Sequence, residues 1–189
     1  SWQTDWNVNE SGGISSWLYE GNSWEYSLYV PHDVPELIRL CGGPDLFERR
    51  LDTFLLKKSQ THHPWLNDYY NVSNEPSFLT PLLYHFIGKP HKTAERVRQI
   101  IAENYSTARD GIPGNDDAGS MSAWYAFHSM GIYPVAGTDL YLITAPRHDR
   151  TVLHLDDGKQ FTIIVNRLSE KNIYIRSATL NGKTLDRSW

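Results

Sequence analysis

Four acidic residues stand beside glycine or proline, outside regular helix, where a carboxyl can be aimed rather than merely solvated. They are Glu20 before Gly21-Asn22, Glu75 before Pro76, and the adjacent pair Asp116-Asp117 in Gly114-Asn115-Asp116-Asp117-Ala118-Gly119. The pair leads into Met121, Trp124, Phe127 and His128, an apolar helix pattern that stops at Gly131. A carboxylate in the first turn of such a helix lies near unsatisfied N–H groups and the positive end of the dipole. Both favour the ionised form that a general base requires. The plainer reading of the same pattern is an N-cap made by Asp116 or Asp117. Glu20 lies among Trp17, Leu18, Tyr19 and Trp24, and packing against rings favours a protonated carboxyl, the form of a proton donor. Its plainer reading is a surface or capping residue. Two carboxyls pushed in opposite directions are the acid and base of glycoside hydrolysis.

The elements that must position these groups change type along the chain. Helices are expected over about 23–30, after Asp33 to Gly42-Gly43, from Pro44 through Phe47, Leu51 and Phe54, from Asn74 to Gly88, and over 92–105. In the fourth of these Pro81 must kink or restart the helix. Beyond Gly131 the period becomes two, with strands expected at 140–144, 151–155, 160–165 and 172–177 and turns at Asp157-Gly158 and Asn181-Gly182. Helices followed by strands indicate an α+β, multidomain layout, divided here into 1–134 and 135–189.

Composition narrows the function. The 189 residues carry a net charge of −4 and no dense Lys/Arg run, so no nucleic-acid partner is expected. No apolar run has the length of a membrane span. The lone Cys41 excludes an intrachain disulfide and a cysteine metal cluster. Seven Trp and eleven Tyr suit the apolar faces of sugars, and equally an ordinary core.

Several blocks together resemble the calcium-dependent exo-acting α-mannosidases of glycoside hydrolase family 92. They are Glu20-Gly21-Asn22-Ser23-Trp24-Glu25-Tyr26 with Val30-Pro31-His32-Asp33-Val34, then Asn74-Glu75-Pro76-Ser77, and Gly88-Lys89-Pro90-His91-Lys92-Thr93. Pro113-Gly114-Asn115-Asp116-Asp117 with Met121-Ser122-Ala123-Trp124-Tyr125 follows, then Gly131-Ile132-Tyr133-Pro134-Val135 and Ser177-Ala178-Thr179-Leu180-Asn181-Gly182. Phe78-Leu79, Ala118 and Ser120 depart from the commoner bacterial pattern and leave the acid, base and metal segments in place.

The resemblance implies part of an (α/α)6 toroid followed by β-sandwich strands. It implies inverting release of terminal α-linked mannose, usually α-1,2, from mannose-containing glycans. Glu20 then corresponds to the general acid and Asp117 to the general base, with Asp116 as its neighbour. Asn74, through its side chain, and Glu75, through its main-chain carbonyl, correspond to the Ca2+ segment; Trp24, His32 and Asp33 correspond to substrate-binding positions. A secreted or periplasmic enzyme is implied, as is a longer protein whose N-terminal portion completes the fold. The alternative function is a non-catalytic carbohydrate-binding or structural fragment of such an enzyme.

Overall fold

In a computed structural model the described residues are 21–57 and 69–188. They carry five α-helices, short 3-10 segments and six strands, an α+β protein. The chain divides into two compact units, Ser1–Gly88 and Lys89–Trp189.

In the first unit, helix α1 (Ser23–Leu28) begins at Asn22, whose side chain accepts from Glu25 N while the Glu25 carboxylate accepts from Asn22 N. This reciprocal capping box satisfies two otherwise orphaned donors. Helix α2 (Val34–Leu40) is capped by Asp33 and carries Pro35 in its first turn. Helix α3 (Pro44–Leu56) starts at the proline that follows Gly42-Gly43. Its stripe of Phe47, Leu51 and Phe54 is buried with Leu28, Val34, Leu37 and Ile38.

The expected helix over 74–88 is instead two 3-10 pieces, Glu75–Ser77 and Thr80–Ile87. Pro76 and Pro81 each remove a backbone donor, so an unbroken i→i−4 ladder is unavailable there. Leu83 and Tyr84 of the second piece join the core of this unit. The Tyr84 hydroxyl donates to the Asp52 carboxylate at 2.7 Å, tying the segment to α3.

In the second unit, α4 (Pro90–Asn104) turns Ala94, Val97, Ile100 and Ile101 inward. Helix α5 (Ser120–Met130) buries Met121, Trp124 and His128 and ends at Gly131. That glycine has φ 91°, and a Cβ on it would come within 2.7 Å of Pro146, so a side chain is excluded on two counts.

Strands β1 (Ile132–Pro134) and β2 (Tyr141–Ile143) form one antiparallel pair, in register Tyr133 with Leu142. Strands β3 (Arg150–His154) and β4 (Gln160–Ile164) pair across Asp157-Gly158, with Val152 opposite Thr162. Strands β5 (Ala178–Leu180) and β6 (Lys183–Leu185) pair across Asn181-Gly182. The expected strand at 172–177 is not formed. Its alternation has no pairing partner among the described residues; instead Asn172 Nδ2 donates locally to the Arg167 carbonyl, and the Tyr174 hydroxyl donates across to Glu95 on α4 at 2.6 Å.

Candidate active site

The two adjacent aspartates have different work. Both precede α5 rather than occupying its first turn, because Gly119 (φ 94°) is the N-cap and has no side chain with which to cap. Asp116 supplies the cap from outside that position. Its Oδ1 accepts from Ser122 N at 2.9 Å, and the Ser122 hydroxyl lies 3.0 Å from both carboxylate oxygens. Its main-chain carbonyl accepts from Gly119 N and Met121 N. The N–H groups expected to favour an ionised general base at the start of α5 are therefore already engaged by Asp116.

Asp117 contributes its main-chain carbonyl to this turn, accepting from Ser120 N at 3.2 Å and the Ser120 hydroxyl at 2.7 Å. Its carboxylate is exposed and takes no hydrogen bond among the described residues. Asp117 and Ala118 sit at φ 43° and 57°, two successive non-glycine residues in the left-handed region. That conformation is uncommon and needs a surrounding structure to hold it. Here the Asp116 cap and the Asp117 carbonyl bonds hold it, so the Asp117 carboxylate is presented on a fixed turn.

Beneath the turn runs an aromatic column. Tyr105 stacks on Trp124 (5.9 Å, 7°), Trp124 contacts His128 (4.2 Å), and His128 stacks on Tyr133 (4.7 Å, 11°). Burial, and then the negative charge of Asp116, push the Tyr105 hydroxyl pKa up. The phenol stays protonated and donates to the Met121 carbonyl at 3.3 Å.

The second cluster gathers around a residue that the sequence reading quoted but gave no role. Glu25 is buried on α1. Its Oε1 accepts from Asn74 Nδ2 at 3.0 Å and from the Ser77 hydroxyl at 2.8 Å; its Oε2 accepts from Asn22 N at 3.3 Å. Burial raises its pKa, while the bonds from Ser77, Asn74 and Asn22 act the other way. The signal that could have found it is the capping-box spacing from Asn22 to Glu25.

Asn74 thus has the nitrogen end of its amide committed to Glu25. Glu75 is exposed, and its main-chain carbonyl accepts one bond, from Phe78 N at 3.0 Å, where a carbonyl has capacity for two. No group of three or more His, Cys, Asp or Glu that could hold a metal occurs among the described residues. Amide and main-chain oxygens are what this segment offers, and such donors fit a hard cation.

The remaining candidates have local roles. The Trp24 ring stacks on Phe54 (6.2 Å), touches Tyr69 and lies under the Arg50 guanidinium at 4.7 Å. Asp33 caps α2 by accepting from Glu36 N at 3.0 Å, and His32 beside it is exposed. Glu20 lies outside the described residues.

Residues 1–189 match the model of the glycosyl hydrolase family 92 catalytic domain. The chain belongs to that family. A family 92 α-mannosidase of Bacteroides thetaiotaomicron, solved with mannoimidazole, superposes with a TM-score of 0.89 at 30% identity, covering 100% of this chain and 26% of that one. A family 92 inverting mannosidase of the same organism superposes with a TM-score of 0.82 at 31% identity, covering 100% of this chain and 27% of that one. A protein of Arthroderma benhamiae described as an uncharacterized secreted glycosidase is 37% identical over 176 residues, 90% of this chain and 21% of that protein. The chain thus spans about a quarter of the length of these family 92 relatives.

Proposed function

We propose that this chain is part of a secreted, inverting exo-α-mannosidase that depends on calcium and releases terminal α-1,2-linked mannose from glycans. The observation that carries the reading is the division of labour before α5: Asp116 caps the helix, and the Asp117 carboxylate takes no hydrogen bond among the described residues, on a turn held by its own main-chain carbonyl. Asp117 accepts the proton of a water molecule as that water attacks the anomeric carbon. Glu20 gives its proton to the departing glycosidic oxygen. One displacement with an external water inverts the centre. Asn74 and Glu75 would hold calcium through the amide oxygen and the main-chain carbonyl. When bound, calcium would supply positive charge to orient the sugar's 2- and 3-hydroxyls and favour a distorted ring. Calcium takes roughly six to eight oxygen ligands, so these two residues would supply only part of its shell. In this reading the helices are part of an (α/α)6 toroid, the strand pairs are part of a β-sandwich, and the remainder of a longer chain completes both.

The test is hydrolysis of α-1,2-mannobiose by the full-length protein, with product anomer followed by NMR, with and without a chelator. Glu20→Gln and Asp117→Asn should each lower kcat by roughly 10²–10⁴-fold, the usual contribution of a positioned acid or base. Wild-type turnover in either variant removes that residue's role, a retained anomer removes inversion, and chelator-insensitive turnover removes the metal.

A further inference from the structure

We propose that Glu25 is a positioning residue for the metal-binding amide of Asn74, fixing which end of that amide is presented as the ligand oxygen. The inference rests on the proposed calcium role of Asn74. An asparagine amide has two ends of nearly equal size, and only the oxygen can bind a cation. The partner that the nitrogen end takes bears on which end is presented. Here that partner is the Glu25 carboxylate, which in its ionised form can only accept, so it takes the NH2 end at 3.0 Å and makes Oδ1 the opposite arm.

Glu25 is itself immobilised. It is buried at 3% exposure and held by the Ser77 hydroxyl and Asn22 N–H as well as by Asn74. Ser77 closes the 3-10 turn that begins at Glu75, so a single carboxylate ties α1 to Asn74 and to the turn that follows it. Both Asn74 and Ser77 donate to the same oxygen, Oε1. A glutamine whose amide oxygen stands in that place keeps both bonds and loses only the longer one from Asn22. An apolar side chain keeps none. Burying a carboxylate is costly, and orienting a ligand is a return beyond the capping box that a hydrophobic replacement would not supply.

The experiment is calorimetric titration of the full-length apoprotein with Ca2+, alongside the melting temperature of the metal-free form. Glu25→Met should weaken calcium binding by roughly 10–100-fold, the usual cost of losing a residue that orients a metal ligand. Glu25→Gln should stay within about threefold of wild type, since the same oxygen position is filled. Glu25→Asp keeps the charge and withdraws it from Asn74, and should also weaken binding; it carries the test if the methionine variant does not fold. Asn74→Ala is the control for the site. If Asn74→Ala weakens binding and the Glu25 variants bind as wild type, the positioning role is overturned and the calcium site stands. If wild type takes up no calcium, or Asn74→Ala binds unchanged, the metal role of Asn74 fails and the inference with it.

Discussion

At the residue scale, neighbouring carboxylates of the same type are separated by what their surroundings ask of them. Asp116 gives its oxygens to Ser122 and caps α5, whereas the Asp117 carboxylate takes no hydrogen bond among the described residues. The two should part company on mutation. Asp116→Ala removes the helix cap and should cost about 1 kcal/mol of stability. Asp117→Asn should leave stability within about 0.5 kcal/mol, because asparagine tolerates a positive φ and the main-chain carbonyl bonds are kept. It should nonetheless lose the turnover described above. Denaturant melts of the two variants, set beside their rates, check the division; a stability loss in Asp117→Asn matching that of Asp116→Ala would show that the turn depends on both. The carboxyl pair itself was legible in the sequence from its glycine borders. Which member caps was not, because that depends on Gly119 taking the N-cap and on Ser122 reaching back six residues. Glu25 was legible as the capping-box partner of Asn22, but its bonds to Asn74 and Ser77, 49 and 52 residues away, lie beyond any local pattern.

At the element scale, helices α1 to α5 follow from their caps, prolines and apolar stripes, and the turns of two of the three strand pairs from Asp-Gly and Asn-Gly, while β1 was not expected. The failures are the segments where a second requirement overrode the pattern. Two prolines turned the 75–87 stretch into 3-10 pieces, and 172–177 had alternation without a partner strand. The 3-10 piece carries its own pH signature. His85 is fully buried within it, and burial pushes its pKa down to about 4. The folded form therefore keeps the imidazole neutral where the unfolded chain, near 6.5, takes a proton. Stability from this group is complete above pH 6.5 and is lost as pH falls towards 4, by about 3 kcal/mol at the lower end. Glu25 works in the opposite sense, since its raised pKa favours the folded form as pH falls. Melting temperatures from pH 7 to 4.5 should drop in wild type and drop less in His85→Gln. Equal slopes in the two proteins would mean that the imidazole is protonated in the folded state.

At the scale of the molecule, the two units carry different parts of the proposed chemistry. Glu25, Asn74 and Glu75 belong to 1–88, and Asp117 to 89–189. A ligand that binds only the folded form stabilises it by an amount set by concentration over Kd, about 2.7 kcal/mol at a hundredfold excess. If calcium is held by Asn74 and Glu75, that free energy enters through the first unit. It should appear locally before it appears globally. Adding Ca2+ to the chelated protein should slow amide exchange in α1 and in Glu75–Ser77, with little change along α4. The melting temperature should rise by several degrees, given roughly 2–4 °C per kcal/mol for a domain of this size. Asn74→Ala should abolish both effects while leaving the metal-free exchange pattern in place. Mg2+, which demands tight octahedral geometry and keeps its waters, should reproduce neither at the same concentration. Protection spread evenly over α1, α4 and the strand pairs would mean that the ion acts through some other site, and the Asn74-Glu75 segment would then lose its metal role whatever the activity of the loaded enzyme.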